Sequence, residues 1–246
     1  MEKNRNLLDI FKNMPSLKLN KLKMEDIEDI DELKDIDYTK IKSPKEKLKK
    51  GEHYPETHYQ TIKEVYLHTM EKFPQRTFIL DKNHPKYEKF KEYTFREFGD
   101  DVEALGTALT KKYHMKDKRI IIIGENQYDW YVSYIATLIG AGLAVPVDKE
   151  LPENEIENVV NRAKASVVIY SNHLKSKIEN LIPKLSDVKY FIEMKSDEAL
   201  EGKKVGFETV IKEGKELIEK GDDSFLRIEI NPEEFKALFF TSRNYF

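Results

Sequence analysis

Residues 119–147, RIIIIGENQYDWYVSYIATLIGAGLAVPV, decide the fold. The four consecutive isoleucines Ile120 to Ile123 carry no polar alternation, as expected of a strand covered on both faces in a parallel sheet. Gly124 closes the run. From about Gln127 to Gly140 the apolar residues return at helical spacing, with Trp130, Tyr134, Ile135 and Leu138 expected on the inner face. Leu143 to Val147 then reads as a second strand. A strand, a helix and a strand of these lengths make a right-handed βαβ unit.

The same alternation extends in both directions. Pro152 opens a helix with Ile156, Val159 and Val160 inside, and SVVIY (166–170) predicts the next parallel strand. KIENLIPKL, VKYFIEM, FETVIKEGKELIEKG and FKALFFTS carry it on to Ser242. Upstream, Thr94 followed by Glu97 is a capping-box signature for a helix that buries Phe95, Phe98, Val102, Leu105 and Leu109. TFIL (77–80) and KYEKFKEY (86–93), around the turn-like DKNHP, predict an edge hairpin. TIKEVYLHTMEKF (61–73) predicts a helix stopped by Pro74. The expected fold is therefore α/β: a doubly wound, mostly parallel sheet with flanking helices and an edge hairpin.

Composition narrows the function classes. The 246 residues are 39% hydrophobic, enough for a sizeable core, and 42 basic against 45 acidic residues leave a formal net charge of -3. No global field favours nucleic acid or an anionic membrane. The chain has no cysteine, which removes disulfides, thiolate zinc sites and cysteine nucleophiles together. The start lacks the apolar core of a secretory signal, and the longest apolar stretches are broken by Gly, Pro or polar residues. Neither a signal peptide nor a transmembrane segment is predicted, and a cytoplasmic protein is the expectation, with peripheral membrane association as its variant. Residues 1–50 form a separate, highly charged region in which Met24, Ile27, Ile30, Leu33 and Ile36 lie three apart. That spacing drifts around a helix of 3.6 residues per turn, so a mobile, partly helical extension is preferred to a docked helix.

Several residue types invite chemistry and have structural alternatives. Gly124, Gly140 and Gly142 do not form GxGxxG, and they read as a sharp turn and a helix end. His53, His58, His68, His84, His114 and His173 show no metal-ligand spacing, so no metal site is predicted. Ser133, Ser166 and Ser171 lack a nucleophile-elbow setting. Trp130 and Tyr134 read as core rather than as a stacking platform. Thr241 and Ser242 differ in kind, because hydroxyls at the exit of a buried strand can cradle phosphate oxygens or simply cap the strand end.

The segment from Ile120 to Ser171 resembles the AMP-forming acyl-CoA synthetases, in particular the long-chain fatty acid CoA ligases. The resemblance is carried by GENQYDW (124–130), GAGLAVPVDKELPENEI (140–156) and SVVIYS (166–171), in the family's order and preceded by YTFREFGDDVEALGTAL (93–109). It covers about Tyr59 to Ser242 and implies the amino-terminal part of an AMP-binding domain. The implied reaction joins a fatty acid to AMP at the expense of ATP, with Mg2+, and then passes the acyl group to CoA. Thr241 and Ser242 match the first two residues of the family's phosphate loop and are the implied cofactor-binding residues. The third position, glycine in the family, is Arg243 here, a residue that follows the loop's backbone path less easily. The adenine and ribose motifs, the magnesium-associated acidic residue and the domain bearing the catalytic lysine have no counterpart in these residues. The expectation is an amino-terminal fragment, truncated at the phosphate loop, without catalytic residues of its own and inactive alone. The alternative is a non-catalytic module that binds a partner, or itself, through an uncovered apolar end around KALFF.

Overall fold

Side-chain caps start the first two described helices. In the computed structural model, which describes residues 57–81 and 91–240, Thr61 caps helix α1 (Ile62–Lys72) by accepting from the Glu64 amide. The Thr94 hydroxyl accepts from the Glu97 amide while the Glu97 carboxylate accepts from the Thr94 amide, which completes the capping box of α2 (Phe95–Thr107). Between them lies an antiparallel hairpin, β1 (Thr77–Asp81) and β2 (Lys91–Thr94), with Ile79 opposite Tyr93. The expected extension over residues 1–50 and the start of the second hairpin strand fall outside the described residues.

The main sheet is parallel throughout and has the order β4-β3-β5-β6-β7. Its strands are β3 (Lys118–Ile123), β4 (Gly142–Val147), β5 (Val167–Tyr170), β6 (Tyr190–Glu193) and β7 (Lys204–Gly206). All four isoleucines of β3 are fully buried, as the unbroken apolar run predicts. Ile121 and Ile123 pack with Ile156, Val160 and Ile178 on one side. Ile120 and Ile122 point the other way by the pleat of the strand.

Two helix layers provide this cover. α3 (Tyr128–Ala136) and α6 (Phe207–Glu219) both pack on α2, whereas α4 (Glu153–Ala163) packs on α5 (Lys175–Leu181). Gly214 lets α6 approach α2, since a Cβ there would lie 1.9 Å from the Ala104 carbonyl oxygen. No described helix is long and apolar enough to cross a membrane.

The structure corrects the reading of three segments. The inner face of α3 is Tyr128, Val132 and Ala136, while Trp130, Tyr134 and Ile135 are half-buried. Three apolar residues beside the buried row widened the predicted face. The short strand β7 was not predicted, because KVG is too brief to show a period. The expected strand FKALFFTS makes one parallel bridge, Ala237 to Ala144, at the β4 edge. The Ala144 amide donates to Lys236 and the Leu238 amide to Ala144, at 2.9 and 2.8 Å.

Candidate functional site

Consecutive strands decide where the sheet opens. β3 leads into α3 on one face, and its neighbour β5 leads into α5 on the other, so their exit loops diverge. Such a switch point at the carboxyl ends of parallel strands is where α/β sheets leave a crevice. Beside that point, between the exits of β3 and β4, lies a crevice of about 390 Å³ walled by Glu125, Asn126, Trp130, Val147, Asp148 and Lys149.

Glu125 ties the three exit loops together. It accepts a hydrogen bond from the Ser171 hydroxyl, and its other oxygen lies 3.6 Å from His173 Nδ1 and 3.8 Å from Lys149 Nζ. Ser171 Oγ in turn accepts from the His173 amide at 3.2 Å. Burial works to raise the Glu125 carboxyl, but the Ser171 hydroxyl, its own backbone amide, His173 and Lys149 hold it below the usual range. Gly124 is required where the loops cross, because a Cβ would stand 2.6 Å from that of Ser171. The structural reading of this glycine holds. Trp130 is part of the crevice wall and stacks on Tyr134 with centroids 5.1 Å apart, which corrects its reading as plain core.

A second charged cluster at this end of the sheet was invisible in the sequence. The Lys195 ammonium, just after β6, pairs with Asp81 at the end of β1, and both side chains are almost fully buried. The Lys195 amide donates to Asp129 Oδ2 at 2.8 Å. Lys195 adopts φ 60°, a left-handed conformation unusual for a side-chain-bearing residue. One lysine thus serves two carboxylates, Asp81 through its ammonium and Asp129 through its backbone amide. Burial foremost, with Glu208 and Asp81, pushes the Asp129 carboxyl up to about 7 against the opposing pull of Lys195. A pair separated by 114 residues leaves no local signal, although a lone buried aspartate in the first turn of α3 is itself a clue.

The segment through Ala237 runs parallel to β4 and therefore heads for the same end of the sheet. Its last described residue, Phe240, packs on the core beneath α4, with the Arg162 guanidinium 5.5 Å from its ring. Thr241 and Ser242 come directly after it and lie outside the described residues. No group of three or more His, Cys, Asp or Glu fit to hold a metal occurs among the described residues.

This chain belongs to the AMP-binding enzyme family, whose pattern it matches over residues 67–242. Rat long-chain-fatty-acid–CoA ligase 5 is 30% identical over 162 residues, covering 62% of this chain and 23% of the ligase. Tyrocidine synthase 2 of Brevibacillus parabrevis is 26% identical over 121 residues, covering 49% of this chain and 3% of the synthase. Among solved structures, coronafacic acid ligase from Pectobacterium brasiliense superposes with a TM-score of 0.60 at 15% identity, over 72% of this chain and 33% of that one. An anthranilate CoA ligase solved with anthranoyl-AMP gives 0.52 at 17%, over 64% and 28%. The chain thus spans a third or less of each of these relatives, and the structural likenesses speak for the fold alone.

Proposed function

We propose that this chain is the amino-terminal part of an adenylate-forming acyl-CoA ligase that takes a fatty acid, with residues 1–50 a charged extension ahead of the AMP-binding domain. The observation that carries the reading is the parallel pairing of Lys236–Leu238 with β4. A segment so aligned exits at the end of the sheet where α/β proteins bind ligands, and Thr241 and Ser242 come next in the chain. In this reading their hydroxyls begin the cradle for the phosphates of ATP, and CoA is the final acyl acceptor. ATP supplies the leaving pyrophosphate. The described residues hold no cluster fit for Mg2+, so no step is assigned to the metal here. What these residues contribute is scaffold: Glu125 fixes the loops around the crevice, and the β4 edge aligns the segment that enters the phosphate loop. Adenylation needs donors placed around developing charge, and the family's adenine and ribose motifs and its catalytic lysine have no counterpart in this sequence, so the isolated chain is inactive in this reading.

A chimera carrying residues 59–242 in place of the matching part of the rat ligase is expected to catalyse fatty-acid-dependent ATP–pyrophosphate exchange. The 246-residue chain alone is expected to show none above background. Exchange by the chain alone, or a folded chimera inactive with every fatty acid offered, overturns the reading.

A second reading, association through the β4 edge, has its own observation. Phe235 is 87% exposed, Phe239 62% and Leu238 37%. The expected result is concentration-dependent self-association in sedimentation velocity, weakened by Phe235→Ser with Phe239→Ser. A monomer at all accessible concentrations removes it.

A further inference from the structure

The chain between α6 and the β4 edge is anchored most deeply around Phe225. Phe225 is buried and its ring fills a slot that only glycine leaves open, since a Cβ on Gly106 would stand 2.1 Å from it. Gly140 forms the other wall, where a Cβ would lie 3.2 Å from both the Phe225 ring and Ile228 Cδ1. From α1, the Lys63 ammonium donates to the Ile228 carbonyl at 2.5 Å. Beyond this point residues 231–235 are all exposed, and the chain is next held by the two backbone hydrogen bonds to Ala144. Two edge hydrogen bonds, worth about 1 kcal/mol each in net terms, and the packing of Phe240 beyond them hold the segment better when its approach is restricted from the other side as well.

We propose that Lys63 and Phe225 are positioning residues for the segment Lys236–Leu238, which docks on β4 and leaves it together with the pinned chain at Phe225–Ile228. A phosphate-binding role for Thr241 and Ser242 beyond that segment rests on the proposed function, but the docking itself does not. Lys63 makes the coupling measurable. Only 6% of it is exposed, and burial lowers its ammonium from 10.5 to about 8, with Glu229 on the pinned chain opposing the shift. Opening the pin returns Lys63 to water, where it binds a proton more tightly. Opening is therefore most frequent below about pH 8, where Lys63 is protonated in both states, and becomes rarer as pH rises towards 10.5, where release takes up a proton.

The test is amide hydrogen exchange by NMR on the whole chain, which requires neither ATP nor acyl substrate. The opening equilibrium at the Ile228 and Leu238 amides is expected to fall together by about tenfold between pH 7 and pH 9, and at each pH to exceed that of Ile122 and Ile169, which open only with global unfolding. Lys63→Met should abolish the pH dependence at both amides. Phe225→Leu should raise exchange at both while keeping it. If Ile228 follows pH and Leu238 does not, or if both amides open no more often than Ile122 and Ile169, Lys63 and Phe225 do not position the edge segment. Loss of ligase function in the chimera with these amides behaving as expected would overturn the proposed function and leave the positioning intact.

Discussion

A Lys195→Met variant is expected to lose about 3–5 kcal/mol of stability, the usual cost of removing one partner from a buried ion pair. In a domain of this size that lowers the melting temperature by roughly 10 °C. Its ammonium side chain is 3% exposed and that of Asp81 2%, so solvent screens neither charge. Methionine fills much the same space but removes the positive charge that Asp81 and Asp129 share. The backbone contributes little to the change, since methionine and lysine meet the same left-handed constraint at this position. Urea denaturation at pH 8 measures the loss. Adding Asp81→Asn should recover part of it, because a neutral cluster is cheaper to bury than an excess of negative charge. A loss below about 1 kcal/mol would mean that the pair is not buried in the folded protein.

This pair links distant parts of the chain at the carboxyl end of the sheet. Asp81 ends β1, Lys195 leaves β6, and Asp129 lies in the first turn of α3 beside the crevice. Glu125 does a similar task between the exits of β3, β4 and β5. The amino-terminal ends of the strands show no such buried ionic grouping among the described residues. Rigid loops at one end of a parallel sheet are what a binding crevice needs, because groups on loops gain precision only from partners that fix them.

The fold was legible where a residue's state follows from its neighbours in sequence. Ile120 to Ile123 have no polar interruption, and the result is an interior strand buried on both faces. Thr94 and Glu97 stand three apart, and they form the expected capping box. Legibility failed where the determinant is remote. Trp130 sits among apolar residues and reads as core, yet it faces a crevice between the loop that leads into its own helix and the loop that leaves β4. Lys195 looks like one more surface lysine in MKSDE, and only the arrival of Asp81 explains its burial. The edge segment read as a full strand from KALFF, but strand length depends on available partners, and β4 offers it a single bridge. Thr241 and Ser242 stood out by chemistry and family resemblance rather than by any local structural period.

Asp129→Asn is expected to stabilise the protein at pH 8, an unusual sign for a change at a buried polar residue. Asp129, Asp81 and Lys195 together carry a net negative charge in the interior, and Asp129 is 2% exposed. Its carboxyl is pushed up to about 7, above the ordinary 3.8, so the folded protein holds a proton there that the unfolded chain has already lost. The folded state therefore binds more protons across that interval, and stability falls as pH rises through it, reaching a plateau above about pH 7. Asparagine resembles the protonated acid and can still accept from the Lys195 amide. The variant should exceed the parent by about 1–2 kcal/mol at pH 8, or roughly 3–6 °C, a discounted share of the shift at about 1.4 kcal/mol per unit. The advantage should shrink as pH is lowered towards 5, where the parent's own Asp129 is neutral. Melting curves of the two proteins from pH 5 to pH 8.5 decide the matter. A variant less stable than the parent at pH 8 would mean that Asp129 is held as a carboxylate, with Lys195 and its amide outweighing burial.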